Sequence, residues 1–231
     1  MNLLPPDEGD AGDPADAARF ALLQRLAPAL RHGMVGALHP IELIVEAIDR
    51  RLQTPAPDLA NVRENLGKIK NLSRSAVHSC TNVASWLAPE EGVLTMLGDG
   101  IDECLALLKT DFGIRGFSVR NEAREISADV SRRALRNVLT ASLITATDTA
   151  AQPSDLVLTA ELAQGLAVLS ILVCPAEGVT AFGDAASCRR FGWDDVRALA
   201  RAESVELQQQ ADRVTLGFPL PAVPQNRPLP R

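Results

Sequence analysis

The group in this chain that is best placed for nucleophilic chemistry is the imidazole of His32. Met34 and Ala37 belong to the apolar side of a helical stretch, so His32 is predicted to face solvent on the other side. A neutral imidazole nitrogen is a nucleophile, and imidazole titrates near neutral pH, so the reactive form is available at pH 7. An ordinary exposed helix histidine is the alternative interpretation of the same pattern.

The other residues that could bind a metal or undergo redox chemistry are scattered. His39 follows His32 by seven residues, a spacing that does not favour a two-histidine metal site. The four cysteines form no CxxC pair and are predicted to be free thiols in a reducing compartment: Cys80, Cys104, Cys174 and Cys188. We therefore predict no bound metal and no cofactor.

Two amphipathic helices must position His32. Apolar residues step by three and four through residues 14–53 and again through 58–87, and residues 54–58 (TPAPD) form a break between them. The first seam consists of Phe20, Leu23, Ala27, Leu30, Met34, Ala37, Ile41, Ile44 and Ile48. The second consists of Leu59, Val62, Leu66, Ile69, Ser73, Ala76, Cys80, Val83 and Leu87. Such helices predict an antiparallel hairpin. Since one hairpin buries both seams poorly, we expect a homodimeric four-helix bundle.

The remainder of the chain has a mixed α/β pattern. Strands are predicted at 92–97, 117–120, 155–163, 166–174, 205–210 and 214–218, and helices at 99–109, 128–147 and 193–202. This order predicts an α/β sandwich with helices on one face of a mixed sheet. The fold class is therefore α+β. The predicted divisions are a disordered segment 1–13, a hairpin domain 14–88, an α/β domain 91–220 and a disordered tail 221–231.

The hairpin followed by this element order resembles the core of bacterial histidine kinases, which joins a phosphotransfer hairpin to a GHKL-type ATPase domain. Residues 32–41 read HGMVGALHPI, and the family's H-box often reads HELRNPLAPI, so His32, Leu38, Pro40 and Ile41 match. The resemblance implies that His32 is the phospho-acceptor. It spans about residues 18–220 and extends to the family's histidine phosphotransferases, which relay phosphate between receiver domains without using ATP.

The same resemblance exposes departures from the family's pattern. Gly33 and Gly36 stand where the family has an acidic residue and a polar residue, which puts self-phosphorylation and phosphatase activity in doubt. Residues 129–147 resemble the N-box helix, but Ala141 and Thr145 replace its asparagines. Cys174 replaces the adenine-binding aspartate, and residues 189–193 (RRFGW) replace the glycine-rich phosphate loop. Together these losses imply that ATP is not bound.

Composition limits the partners. The formal net charge of −6 and the 3% aromatic content disfavour a general grip on nucleic acid or anionic lipid. Neither a signal peptide nor a membrane-spanning stretch is recognisable, so we expect a cytoplasmic protein.

The leading hypothesis is a homodimeric phosphorelay protein that exchanges phosphate with response-regulator receiver domains, where the receiver supplies Mg²⁺. The alternative is a non-catalytic pseudokinase that binds and modulates a kinase or a response regulator. An active kinase with an unusual ATP site is a third possibility.

Overall fold

A computed structural model describes residues 13–88, 91–175 and 191–221. The chain divides into two compact units: Leu26–Glu90, and Met1–Arg25 together with Glu91–Arg231. We call the first the hairpin unit and the second the α/β unit. Among the described residues, no helix combines the length and the apolarity that a bilayer crossing requires. The ends predicted to be disordered lie outside the described residues, apart from Asp13 and Pro221.

The hairpin unit is built from two long helices, α1 (Pro14–Leu52), which belongs to it from Leu26 onwards, and α2 (Leu59–Leu87). Asp58 caps α2, because its carboxylate accepts hydrogen bonds from the backbone N–H groups of Ala60 and Asn61, both at 3.1 Å. The predicted seam of α1 is confirmed from Leu30 to Ile48, where its residues are buried or half-buried. Pro28 and Pro40 lie inside α1, and the helix continues through both.

The start of α1 does not follow the predicted seam. Phe20 was placed on the buried side, but its side chain is 63% exposed. Ala18 and Leu22 are buried instead. The physical reason is that residues up to Arg25 belong to the α/β unit and not to the hairpin unit. This part of α1 therefore buries a different side of the helix, the side that carries Ala18 and Leu22.

The described part of the α/β unit contains seven strands and four further α-helices. The strands are β1 (Leu94–Met96), β2 (Ser118–Asn121), β3 (Asp129–Ser131), β4 (Ser154–Ala163), β5 (Leu166–Pro175), β6 (Glu206–Gln209) and β7 (Arg213–Pro219). The helices are α3 (Leu97–Ile114), α4 (Arg132–Ala134), α5 (Thr140–Thr149) and α6 (Trp193–Ala202). A π-helical turn, Leu135–Leu139, joins α4 to α5.

Five strands form one mixed sheet in the order β2-β4-β5-β7-β6, in which only the β2–β4 pair is parallel. Alternate residues of the three central strands are almost fully buried: Leu156, Leu158, Ala167, Leu169, Ile171, Val214, Leu216 and Phe218. One face of the sheet is therefore covered and contributes the core. The α+β class, with a helical hairpin followed by an α/β sandwich, is confirmed.

One element differs from the predicted order. The predicted helix 128–147 begins only at Arg132, because Asp129–Ser131 forms the short strand β3. This strand pairs antiparallel with β1, and Val130 is fully buried opposite Thr95. The Ser131 hydroxyl then accepts a hydrogen bond from the Ala134 N–H at 3.2 Å and caps the helix.

Candidate phosphotransfer site

His32 lies on the exposed side of α1, as predicted. At about 100° per residue it points roughly opposite to the Ile41 and Ile48 side of the helix, which faces the seam. The next residue, Gly33, and the residue one turn later, Gly36, are both open: a Cβ added at either would meet nothing within 4 Å. Neither position 33 nor position 36 therefore carries a side chain that could cover the imidazole.

Pro40 changes the backbone close to this histidine. It carries no N–H, so the carbonyl of Gly36 loses the helical donor four residues ahead. The freed acceptor belongs to a glycine on the exposed side of α1. The exposed imidazole and this backbone acceptor thus lie within about one helical turn of each other.

Charged neighbours do little to orient the His32 ring. Among the described residues, no side chain forms a hydrogen bond or an ion pair with it. One charge-assisted contact on this stretch of α1 belongs instead to His39, whose Nδ1 lies 3.4 Å from the Glu42 carboxylate with both groups exposed. The absence of a carboxylate beside His32 agrees with the loss of the acidic residue at Gly33. The role of His32 as a phospho-acceptor stays a prediction.

In the described part of the chain, the positions that resemble the family's ATP-binding motifs lack the family's nucleotide-binding side chains. Ala141 and Thr145, on the helix that resembles the N-box, are both fully buried. Cys174 lies near the end of β5, opposite Asp155. Residues 176–178 and 189–190 lie outside the described residues, but Phe191 is buried and Gly192 precedes α6. The Gly192 N–H donates to the Asp195 carboxylate at 3.0 Å, so this helix start already binds its own carboxylate.

Solved structures similar to this chain include histidine kinases. The kinase AdeS of Acinetobacter baumannii is 16% identical, with 79% of this chain and 98% of that chain covered and a TM-score of 0.42. A histidine kinase of Burkholderia phymatum is 14% identical, with 84% and 96% covered and a TM-score of 0.41. A structure described as a bacterial phosphotransferase is 13% identical, with 92% and 98% covered and a TM-score of 0.41. No protein-family model and no curated protein sequence matches the chain.

The helix that resembles the N-box holds a partly buried ion-pair cluster with α3. Glu103 of α3 accepts hydrogen bonds from Arg132, at 2.9 Å to Nη2, and from Arg136. Burial opposes the charged form of Glu103, but the hydrogen bonds from Arg136 and Arg132 outweigh it and lower its pKa. The neighbouring Cys104 is fully buried, and burial raises the pKa of its thiol to about 12. Its neutral thiol is a packing group.

A second cluster surrounds Glu203 at the end of α6. Its carboxylate accepts hydrogen bonds from Arg133 Nε at 3.0 Å, Asn137 Nδ2 at 3.0 Å and Arg19 Nη2 at 3.2 Å. Arg19 belongs to the first turns of α1, so this carboxylate fastens that segment within the α/β unit. The hydrogen bond from Arg133 to Glu203 is the main cause of a raised pKa for Arg133.

The arginines of these clusters are not a solvated helix face, although three arginines so close together in a helix are typical of one. Arg136 is 4% exposed, and Arg132, Arg133 and Arg136 all form ion pairs. The missed signal is the four-residue spacing of Arg132 and Arg136, which lets two guanidinium groups reach one carboxylate. The π-helical turn contributes one member to each cluster, Arg136 to that of Glu103 and Asn137 to that of Glu203.

Proposed function

We propose that this chain is a two-component phosphotransfer protein that accepts phosphate on His32 from one receiver domain and passes it to another. The observation that carries the proposal is the exposure of His32 on α1 beside two open glycines. An aspartyl phosphate on a partner needs such access, because the attacking nitrogen must approach the phosphorus in line with the leaving oxygen. The matches to the H-box at Leu38, Pro40 and Ile41 support the same role.

The transfer requires no cofactor held by this chain. A neutral imidazole nitrogen of His32 attacks phosphorus, and a P–N bond forms as the P–O bond to the receiver aspartate breaks. The aspartate leaves as a carboxylate with the bonding electron pair, and the phosphorylated imidazolium releases its other ring proton to water. Transfer to a second receiver runs through the reverse steps. Because the acyl phosphate already stores the energy of the reaction, neither ATP nor an acidic residue at position 33 is needed.

A homodimer is the assembly that fits the hairpin unit. Six apolar side chains lie beside the buried or half-buried positions of the two helices and are about half exposed or more; we call them the lateral stripe: Leu38, Val45, Leu52, Leu59, Leu66 and Val77. Leu59 and Leu66 were predicted to belong to the second seam, but they are 65% and 53% exposed. The members on α1 and those on α2 are displaced in the same sense from the buried side of their own helix, which in an antiparallel hairpin places them on one side. A second hairpin would cover this stripe. Val45 points roughly 140° away from His32 around α1, so dimerisation leaves the histidine accessible.

The alternative is a non-catalytic pseudokinase that binds a kinase or a receiver domain and modulates it sterically. The lack of any described hydrogen-bonding partner for His32, together with Gly33 and Gly36, favours this second function. It requires the same exposed surface of α1 but no phosphoryl group on the protein.

One labelling experiment separates the candidates. The full chain is incubated either with ATP labelled in its γ-phosphate or with receiver domains of the source organism that have been phosphorylated by labelled acetyl phosphate. The relay predicts label from at least one receiver and none from ATP. Receiver binding without label transfer would favour the pseudokinase, and labelling by ATP alone would contradict the loss of the nucleotide site.

A further inference from the structure

A groove of about 830 Å³ runs between α3 and the edge strand β2 in the α/β unit. Its floor is apolar and comprises Leu105, Ala106, Phe112, Phe117 and Val119. Phe112 and Phe117 support each other, with ring centroids 6.3 Å apart. Gly113 lines the groove near the end of α3, and a Cβ added there would meet nothing within 4 Å.

The strand that forms one wall of this groove has an open edge. β2 pairs with β4 on one side and with no other described strand. The Glu122 N–H donates to the Leu158 carbonyl at 2.8 Å, so the alternate residues Arg120 and Ser118 also direct their backbone groups towards β4. Val119 and Asn121 consequently direct their N–H and C=O groups towards the groove. Such a row of backbone groups is a template for one more strand.

The charges at the rim indicate the chemistry of that strand. Asp102 is already neutralised by Arg124, whose Nη2 lies 2.9 Å away, and accepts a hydrogen bond from Asn121 at 2.9 Å. Arg120 and Glu122 form a looser pair at 3.8 Å. Lys109 forms no ion pair with any described residue. The ammonium group of Lys109 is therefore the one charge on the described rim without an acidic partner, and it lies beside the apolar floor.

We propose that this groove binds an extended peptide segment of a partner protein as an added strand beside β2, with an apolar side chain on the floor and an acidic side chain at Lys109. Backbone hydrogen bonds to Val119 and Asn121 would provide affinity, and alternate side chains would provide selectivity. A second copy of this chain is a poorer occupant, because its β2 would bring Arg120 and Lys109 to a groove that already carries both.

The probe is a phage-displayed library of random short peptides selected on the full chain, and the most enriched sequence is then made as a fluorescent peptide. We expect enrichment of alternating apolar residues with at least one acidic residue. Affinity is measured by fluorescence anisotropy, and protection of the Val119 and Asn121 amides by hydrogen exchange. Methylating the peptide amides that face β2 should abolish binding, whereas methylating the alternate amides should not.

Two variants of the chain locate the binding. Gly113→Phe fills the groove, and Val119→Pro removes an N–H of the open edge without removing a hydrogen bond to β4; each should weaken binding about tenfold or more. Gly67→Phe, the same change at an open helical glycine of the hairpin unit, should leave affinity unchanged. Circular dichroism verifies that each variant folds. The proposal is overturned if no peptide is enriched, if binding survives both groove variants, or if Val119→Pro instead abolishes self-association of the chain.

Discussion

Glu203 and Arg133 form an ion pair at 3.0 Å in which the glutamate side chain is only 2% exposed. The same arginine also reaches Glu91 at 3.1 Å, but that partner is 88% exposed. One guanidinium thus joins a buried and a solvated carboxylate. The two carboxylates provide a matched comparison of what burial contributes to this part of the fold.

Replacing the buried partner should destabilise the α/β unit. Glu203→Ala removes the acceptor shared by Arg133, Asn137 and Arg19, and we expect a loss of about 2 kcal/mol in the free energy of unfolding. The arginines are about one-third exposed and can recover water, so the loss should fall below that of a fully buried pair. Glu91→Ala should change it by less than about 0.5 kcal/mol. Urea denaturation measures both, and equal effects would contradict the ranking.

Acid should weaken the cluster at Glu103. Its folded-state pKa lies below the ordinary 4.5, so the folded protein holds fewer protons on this group than the unfolded chain. The resulting stabilisation is fully present above about pH 4.5 and is lost as the pH falls through the folded-state value. Glu103→Gln should therefore be less stable than wild type at neutral pH, and the difference should shrink on acidification.

Glu125→Gln is the control for that comparison, because Glu125 is exposed and forms no ion pair with a described residue. Its unfolding free energy should follow wild type throughout the titration. A Glu103→Gln deficit that stays constant down to about pH 3 would show that the charge of Glu103 is not what stabilises the cluster.

The thiol of Cys104 should resist modification in the folded protein. It is fully buried with a pKa raised to about 12, and it is the thiolate that attacks a thiol reagent as the nucleophile. In a variant that keeps only Cys104, with Cys80, Cys174 and Cys188 replaced by alanine, dithionitrobenzoate should react only after denaturant is added. A variant that keeps only the half-exposed Cys80 should react while folded. Equal rates in the folded state would contradict the burial of Cys104.

Heptad spacing predicted the buried side of α1 well within the hairpin unit, but in α2 it failed at Leu59, Leu66 and Leu87, which are 65%, 53% and 59% exposed. Residues from Leu30 to Ile48 face inwards as expected, and the same pattern placed His32 on the exposed side. The pattern failed at Phe20, because the first turns of α1 pack within the α/β unit. Apolar residues lie on both sides of this part of the helix, Phe20 on one and Ala18 and Leu22 on the other, and the local sequence does not show which side is buried.

The remaining errors share one physical cause, which is long-range pairing. Strand β3 is three residues long, shorter than any period can reveal, and it forms through its partner β1. The burial of Arg136 depends on Glu103, which lies 33 residues earlier in the chain. In contrast, the accessibility of His32 follows from local helix geometry alone, so this part of the site could be predicted.

A charge within the lateral stripe should disrupt the proposed homodimer. Val45 and Leu43 are each 50% exposed, but they point roughly 160° apart around α1. Val45→Glu should therefore shift the chain to a monomer in sedimentation equilibrium, because the new carboxylate would be buried between two hairpins. Leu43 lies outside the lateral stripe, so Leu43→Glu should leave the homodimer intact. A wild-type monomer, or equal effects of the two variants, would contradict the stripe as the interface.

The most direct test of phosphotransfer compares the two histidines on the exposed side of α1, His32 and His39. The wild-type chain, His32→Gln and His39→Gln are each mixed with a receiver domain that carries a labelled phosphoryl group. The acid-labile, alkali-stable label on the chain is then counted, and its position is located by mass spectrometry. We predict label on wild type and on His39→Gln, all of it at residue 32, and none on His32→Gln. Undiminished labelling of His32→Gln, or no label on the wild-type chain from any receiver of the source organism, would contradict the proposed function.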